Sequence, residues 1–353
     1  KVILEGIKRL EYRGYDSCGV VIQHNSKLYV KKDAGKINEI HKKLKLDEFP
    51  SGAKLGLAHT RWATHGSPTK VNSHPHLDCN DNIAVIHNGI LENFFDLKED
   101  LEAKGHKFRS ETDTEIFPHL IEEYMNKGCE FKIAVSKAVK RCKGAYSLAI
   151  CHTQYPDQLI VVRKESPLVI GLEKGKTSYC ASDIPAFLPY TRECYILDDD
   201  EMAILKAGEV TFYEISDMNH PKEKEKQIIQ WSIDAAEKGG YEHFMLKEIY
   251  EEPTALRHTL KIPKVDLQTF ARILWGAKNI FITAAGTSYH ASLAGKFIIT
   301  KFLHKYIEAI ECSEFQTQLG EALQEDSVII AISQSGETLD TIEAIRWAKD
   351  KLR

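Results

Sequence analysis

Asn279-Ile280-Phe281-Ile282-Thr283-Ala284-Ala285-Gly286-Thr287-Ser288 and Ser327-Val328-Ile329-Ile330-Ala331-Ile332-Ser333-Gln334-Ser335-Gly336-Glu337-Thr338 share one construction: an unbroken apolar run, then glycine and small hydroxyl residues. Alternating polarity would mark strands wetted on one face, whereas continuous apolar runs suit strands covered on both, as in a parallel sheet. Strands are predicted at Asn279–Thr283, Tyr306–Glu311 and Ser327–Ile332, with helices at Ser288–Phe302 and Glu337–Asp350 between and after them. This predicts a doubly wound α/β domain over residues 244–353, entered by a helix over Phe244–Leu260 that Pro253 breaks or bends. Three strands are few for a stable sheet, so the pattern is expected to continue beyond Arg353. In such sheets ligands bind past the carboxyl ends of the strands, where backbone N–H groups and the positive helix end face an anion. Two similar turns favour a phosphate site over plain helix capping. Neither turn has the spacing or lysine of a nucleotide P-loop.

Upstream the style changes. Short β-like runs dominate to about Tyr213: Gly19–Gln23, Lys54–His59, Ile83–His87, Ala145–Cys151, Leu159–Val162, Leu168–Gly171 and Glu201–Leu205. Helices are predicted at Lys36–Leu46, Glu92–Lys104 and Asp113–Asn126, the last with an N-cap in Ser110–Thr112. Strand-rich blocks without regular alternation suggest α+β layers over residues 1–225. The charged stretch from His220 to Lys226 reads as the polar entry to a helix that Gly239-Gly240 stops, so residues 226–243 are expected to join two domains. Lys1–Glu5 reads as the interior of a helix, so the start is expected to be cut.

The 353 residues, 43% hydrophobic and 28% charged, are ordinary for a folded protein of two domains. A net charge of −4 argues against nucleic acid as partner, and no run is long enough to span a bilayer. Eight scattered cysteines without a CxxC pair read as reduced thiols, hence a cytoplasmic location. No metal is expected: His74-Pro75-His76 near Cys79 is the one cluster in the sequence, and it lacks zinc-site spacing.

Loop and strand-end positions of the first domain carry Tyr12–Ser17 (YRGYDS), His59–Gly66 (HTRWATHG), His87–Asn93 (HNGILEN) and Ser110–Glu115 (SETDTE). Arg61 can fork onto a carboxylate, and Asp113, at a helix start, can pair with an ammonium, together clamping an amino acid. The Asn88 amide and Gly89 N–H, just past a strand, form the donor pair of an oxyanion hole. Singly, each has a plainer reading: surface arginine, capping aspartate, Asn-Gly turn.

These motifs, with the His74–His76, SPLVIG, ASD, MLKEIYEEP, GTS and SQSGET segments, resemble those of the glutamine:fructose-6-phosphate aminotransferases along essentially the whole chain. The first half is similar to class II glutamine amidotransferases of the N-terminal-nucleophile type, an αββα sandwich, and the second to a sugar isomerase (SIS) domain. The resemblance implies that Arg61 and Asp113 bind glutamine, and that Trp62, Thr64 and His65 close over it, Trp62 also gating ammonia. It implies that Asn88 and Gly89 form the oxyanion hole, that Arg13 and Gly14 lie beside the nucleophile, and that Thr287, Ser288, Ser333, Gln334, Ser335 and Thr338 hold fructose 6-phosphate. It implies no organic cofactor and a homo-oligomer, dimer or tetramer.

The family's nucleophile is an N-terminal cysteine whose own α-amino group serves as base. That residue is expected upstream of Lys1, and a second SIS domain beyond Arg353. Cys18 does not replace the nucleophile: it has no free amine and opens the apolar strand Cys18–Ile22. Ala285 stands where the family's GTS turn follows a cysteine. Two other readings are a sugar-phosphate-binding regulator without catalysis, should the chain end as it stands, and an amidotransferase serving another acceptor.

Overall fold

The computed structural model describes residues 1–11, 14–61, 66–230, 241, 243–334, 336 and 338–352. It divides into two compact units, Lys1–Phe244 and Met245–Arg353. The first holds β1 (Ser17–His24), β2 (Lys27–Ala34), β3 (Leu55–Arg61), β4 (His76–Leu77), β5 (Ile83–Leu91), β6 (Gly144–His152), β7 (Leu159–Lys164), β8 (Val169–Glu173), β9 (Thr177–Ala181), β10 (Glu193–Ile196), β11 (Glu201–Lys206), β12 (Glu209–Glu214), β13 (Asp217–Lys222) and β14 (Gln227–Ile228). They form three sheets, ordered β2-β1-β3, β14-β10-β8-β9 and β13-β12-β11-β7-β6-β5-β4, with antiparallel pairing throughout the long one.

Both faces of the long sheet are buried. Leu148 and Ile150 of β6 with Ile160 and Val162 of β7 meet the helices α3 (Phe94–Ala103), α4 (Ile116–Asn126) and α5 (Phe131–Val139) through Leu97, Leu101, Phe117, Leu120, Phe131 and Val135. On the opposite face Ala149, Cys151 and Val161 pack against Val21, Leu57 and Ile170 of the other sheets. A third layer forms where Cys18 and Val20, alternating with Val21, turn toward Leu4 and Ile7 of α1 (Val2–Arg9) and Ile37 and Ile40 of α2 (Ile37–Leu44). Period-two alternation thus sorts each strand's side chains between two cores.

Two sequence expectations fail in this unit. His220–Lys222 belongs to strand β13, not to a helix entry: Lys222 pairs with Glu201 and Glu214, and Lys224 with Glu201. Those charges suit an edge strand, where lysine blocks further pairing. The helix expected to end at Gly239-Gly240 falls largely outside the described residues. Asn88-Gly89 is not a turn past a strand but lies inside β5, with Gly89 opposite Tyr146.

The second unit holds β15 (Asn279–Ala284), β16 (Ile307–Glu311) and β17 (Ser327–Ile332), a parallel sheet in the order β16-β15-β17. Helix Phe244–Thr259 runs through Pro253 without a break, in exposed surroundings where water can take the displaced carbonyl. Helix α8 (Gly286–Leu303) faces Ile280, Ile282 and Val328 through Leu293 and Ile299, while α10 (Leu339–Lys351) faces Phe281 and Ile329 through Ala344, Trp347 and Ala348. Helix Lys264–Gly276 is an element the sequence reading did not foresee. Among the described residues no helix is long and apolar enough to cross a membrane.

Candidate functional site

A cavity of about 530 Å³ opens in the first unit, lined among others by Arg61, Asn88, Gly89 and Asp113. Sequence separates these four residues; the pairing of strands and one short turn brings them together. Arg61 ends β3, Asn88 and Gly89 sit in β5, and Asp113 opens the 3-10 turn Asp113–Glu115 that leads into α4. Asp113 is buried, and its Oδ2 accepts the Leu91 N–H at 2.8 Å, which ties it to the strand that carries Asn88 and Gly89. The Arg61 guanidinium is 5% exposed and donates to the Gly66 carbonyl at 3.4 Å. Burial pulls its pKa down, while the charges of Asp113 and Asp16 pull it back up. The cavity therefore sets a cationic fork and a carboxylate in one dry space, the complement of a zwitterion.

Gly89 has φ +133°, and a Cβ there would lie 2.0 Å from the Ala145 carbonyl oxygen. Only glycine lets β5 twist at this point while staying against β6. Beside it, His59 Nε2 lies 2.8 Å from Asn88 Oδ1, so a proton on Nε2 is donated to the amide oxygen and leaves the amide's own two donors for a ligand. His74 accepts the His87 N–H at Nδ1 and must therefore donate from Nε2 to Thr114 Oγ1, 3.2 Å away. The Thr114 hydroxyl then donates to His87 Nδ1 at 3.0 Å. Burial holds His59 down to about 4 and His74 well below the ordinary histidine value, so the imidazoles are neutral. The charge in the cavity comes from Arg61 and Asp113.

His59, His74 and Thr114 are contributors that sequence reasoning missed. His59 stands in the same motif as Arg61, two residues earlier on the strand and so on the same face, which was the available signal. Gly14 is buried, near the start of β1. Arg13, Trp62, Thr64, His65 and Ser335 lie outside the described residues. The Cys18 thiol is buried in β1, and burial pushes its pKa up to about 12, the state of an unreactive core thiol.

In the second unit β15 and β17 pair in parallel with Ala284 opposite Ile332, so the turns that follow them emerge side by side. Gly286 and Thr287 are exposed and Ser288 is half-buried in the first turn of α8. Across from them the Ser333 hydroxyl accepts the Gly336 N–H at 3.0 Å and lies 3.2 Å from the Thr338 hydroxyl, which folds the loop over residues 333–338 back on itself. Gln334 is exposed on it. Neither Ala285 nor Thr338, the residues at the two helix starts, makes a side-chain cap, so hydroxyl capping does not account for this composition.

Comparison with known proteins matches these two regions separately. Residues 59–189 fit a family described as a glutamine amidotransferase domain, and residues 273–351 fit the SIS domain. The chain is 47% identical over 350 residues to a glutamine--fructose-6-phosphate aminotransferase [isomerizing] of Pyrococcus horikoshii, covering 99% of this chain and 58% of that protein. It is 47% identical over 353 residues to the Methanothermobacter thermautotrophicus protein of the same name, and 46% over 352 to that of Aquifex aeolicus, each again spanned to 58%. Among solved structures, "structure of the allosteric regulatory enzyme of purine biosynthesis" is similar with TM-score 0.52 and 27% identity, over 62% of this chain and 46% of that one. A glutamine phosphoribosylpyrophosphate (PRPP) amidotransferase from B. subtilis shares the fold with TM-score 0.53 and 20% identity, over 87% of this chain and 62% of that one. The chain therefore carries a glutamine amidotransferase domain followed by a SIS domain, and along its whole length it falls in sequence among the glutamine--fructose-6-phosphate aminotransferases.

Proposed function

We propose that the protein takes ammonia from glutamine and transfers it to fructose 6-phosphate, giving glucosamine 6-phosphate. The observation that carries this is the convergence of Arg61, Asp113, Asn88 and Gly89 on one cavity, in a chain 47% identical to an enzyme so named. In this reading residues 1–225 form the glutaminase, an αββα sandwich of the N-terminal-nucleophile type. Residues 244–353 form a doubly wound SIS domain, and residues 226–243 join them.

Arg61 takes the carboxylate of glutamine and Asp113 its ammonium, which fixes the side-chain amide against β5. A thiolate adds to the amide carbon, and the oxygen gains charge as the carbonyl bond opens. The Asn88 amide and Gly89 N–H stabilise that oxyanion, an effect worth about 3–4 kcal/mol per donor in comparable sites. Collapse expels ammonia and leaves a thioester that water hydrolyses to glutamate. By resemblance the thiol belongs to an N-terminal cysteine beside Arg13 and Gly14, and Trp62, Thr64 and His65 close the site. Ammonia then adds to the C2 carbonyl of the open sugar and water leaves; a proton passes from C1 to C2, giving the amino aldose. The turns at Thr287-Ser288 and over Ser333, Gln334, Ser335 and Thr338 hold the phosphate through neutral donors and two helix N-termini. A cytoplasmic homo-oligomer completes the reading.

The test is formation of glucosamine 6-phosphate by the intact protein from glutamine and fructose 6-phosphate, followed by mass spectrometry. Arg61→Ala should raise KM for glutamine at least ~100-fold, the scale of losing a charge-assisted pair, with fructose 6-phosphate binding unchanged. Absence of the amino sugar in the intact protein, or equal loss of both substrates in a folded Arg61→Ala variant, would overturn the assignment.

A further inference from the structure

Away from the cavity, four side chains from three segments point their donor atoms at one place: Cys79, His106, His119 and Glu122. Cys79 lies in the turn between β4 and β5, His106 follows α3, and His119 and Glu122 stand three residues apart on α4. Cys79 Sγ is 3.7 Å from His106 Nδ1 and 3.5 Å from His119 Nδ1. Glu122 Oε2 is 3.0 Å from His106 Nδ1 and 3.5 Å from His119 Nδ1. All four ligand atoms fall within 4.8 Å of one another.

We propose that these residues form a structural zinc site. Bonds of ~2.3 Å to sulfur and ~2.0–2.1 Å to nitrogen and oxygen place the corners of a zinc tetrahedron about 3.3–3.6 Å apart, the spacing found here. Hydrogen bonds alone satisfy the group poorly. One thiol proton cannot serve two imidazole nitrogens, whereas one cation engages all four atoms at once. A thiolate and a carboxylate balance the charge of a divalent ion, and sulfur with two imidazoles selects zinc over magnesium or calcium. Four protein ligands leave no open position, which marks a structural rather than a catalytic site.

The outer contacts are those of a prepared site. Glu122 Oε1 accepts from Asn80 Nδ2 at 2.6 Å, which leaves Oε2 for the ion. The Lys107 N–H points at Cys79 Sγ from 3.5 Å, and Glu115 Oε1 lies 3.6 Å from His119 Nε2 in a carboxylate–histidine–metal arrangement. Glu115 is itself held by the Arg109 and Ser110 N–H groups at 2.8 and 2.7 Å. The ion would pin the turn at Cys79 and the connection through His106 to α4, whose entry carries Asp113. The sequence hides this set: only the His119/Glu122 pair is local, so the expectation of no metal rested on spacing that a three-segment site does not show.

Elemental analysis of the intact protein, purified without chelator, should find zinc equimolar with chain. After stripping, cobalt(II) should give visible bands of tetrahedral intensity and a sulfur-to-cobalt charge-transfer band. Cys79→Ser should abolish the charge-transfer band, while Cys129→Ser, at a thiol facing Lys137, should keep it. Asn80→Ala should weaken zinc ~10–100-fold, the usual effect of losing an outer-shell partner. These readouts do not depend on turnover, and the wild-type measurements stand even if a variant fails to fold. Folded wild-type protein without zinc and without a tetrahedral cobalt spectrum would overturn the site, as would a charge-transfer band that survives Cys79→Ser.

Discussion

Gly89 combines two demands that no other residue meets, a φ of +133° and a neighbouring carbonyl 2.0 Å from where a Cβ would sit. Gly89→Ala must either push β5 off β6 or rotate the peptide whose N–H faces the cavity. Unfolding in urea should show a loss of about 1–3 kcal/mol, the scale of a forced backbone conformation, and glutamine hydrolysis should fall with it. Hydrolysis at the wild-type rate would remove Gly89 from the oxyanion hole. The neighbouring Asn88 shows how a residue can be legible while its support is not. The Asn-Gly pair draws notice as a turn or a donor pair, but the contact of His59 with Asn88 depends on β3 and β5 coming together, which no local pattern states.

At the scale of elements, what could be read was decided by burial. β15, β17, β5 and β6 are apolar on both faces, so their runs stand out in the sequence. β2 was missed because its alternating residues are charged: Lys31, Lys32 and Asp33 lie on it, with Lys32 Nζ donating to the carbonyls of Val71, Ser73 and Pro75 at 3.2, 2.7 and 2.9 Å. Burial lowers that lysine to about 8, which fits a group used to clamp backbone rather than to stay in water. The short helix α5 went unseen because its apolar residues suit a buried strand as well as a helix. Its Phe131 is 1% exposed and meets His152 and Tyr155 with ring centroids 5.3 and 5.1 Å away. Phe131→Ala should cost ~3–5 kcal/mol by cavity formation, read as a lowered denaturation midpoint. A shift under about 1 kcal/mol would mean that α5 does not anchor the sheet.

For the whole molecule the buried histidines set the response to acid. His59 and His152 are held at about 4, and His74 and His76 well below 6.5, in each case chiefly by burial. Above pH 6.5 neither the folded nor the unfolded chain protonates them, so they leave stability unchanged. As pH falls below 6.5 the unfolded chain binds protons that the folded chain refuses, and stability is lost progressively down to about pH 4. Each such histidine contributes on the order of 1 kcal/mol per pH unit in that window. The melting temperature should therefore fall between pH 6.5 and 5, before carboxylates titrate; a flat profile there would mean that these imidazoles can be protonated in place.

The bond from the Leu91 N–H to Asp113 has a consequence for selectivity. It fixes the carboxylate to the same strand that presents Asn88 and Gly89, so the two ends of the proposed substrate are gauged against one rigid ruler. Asparagine, shorter by one methylene, would leave its amide about one bond length (~1.5 Å) short of the oxyanion donors when its amino and carboxylate groups are seated. Misplacement on that scale costs roughly 100-fold in rate. Side-by-side hydrolysis assays should show glutamine preferred by at least that factor, with asparagine acting as a weak competitor that occupies the clamp without reacting.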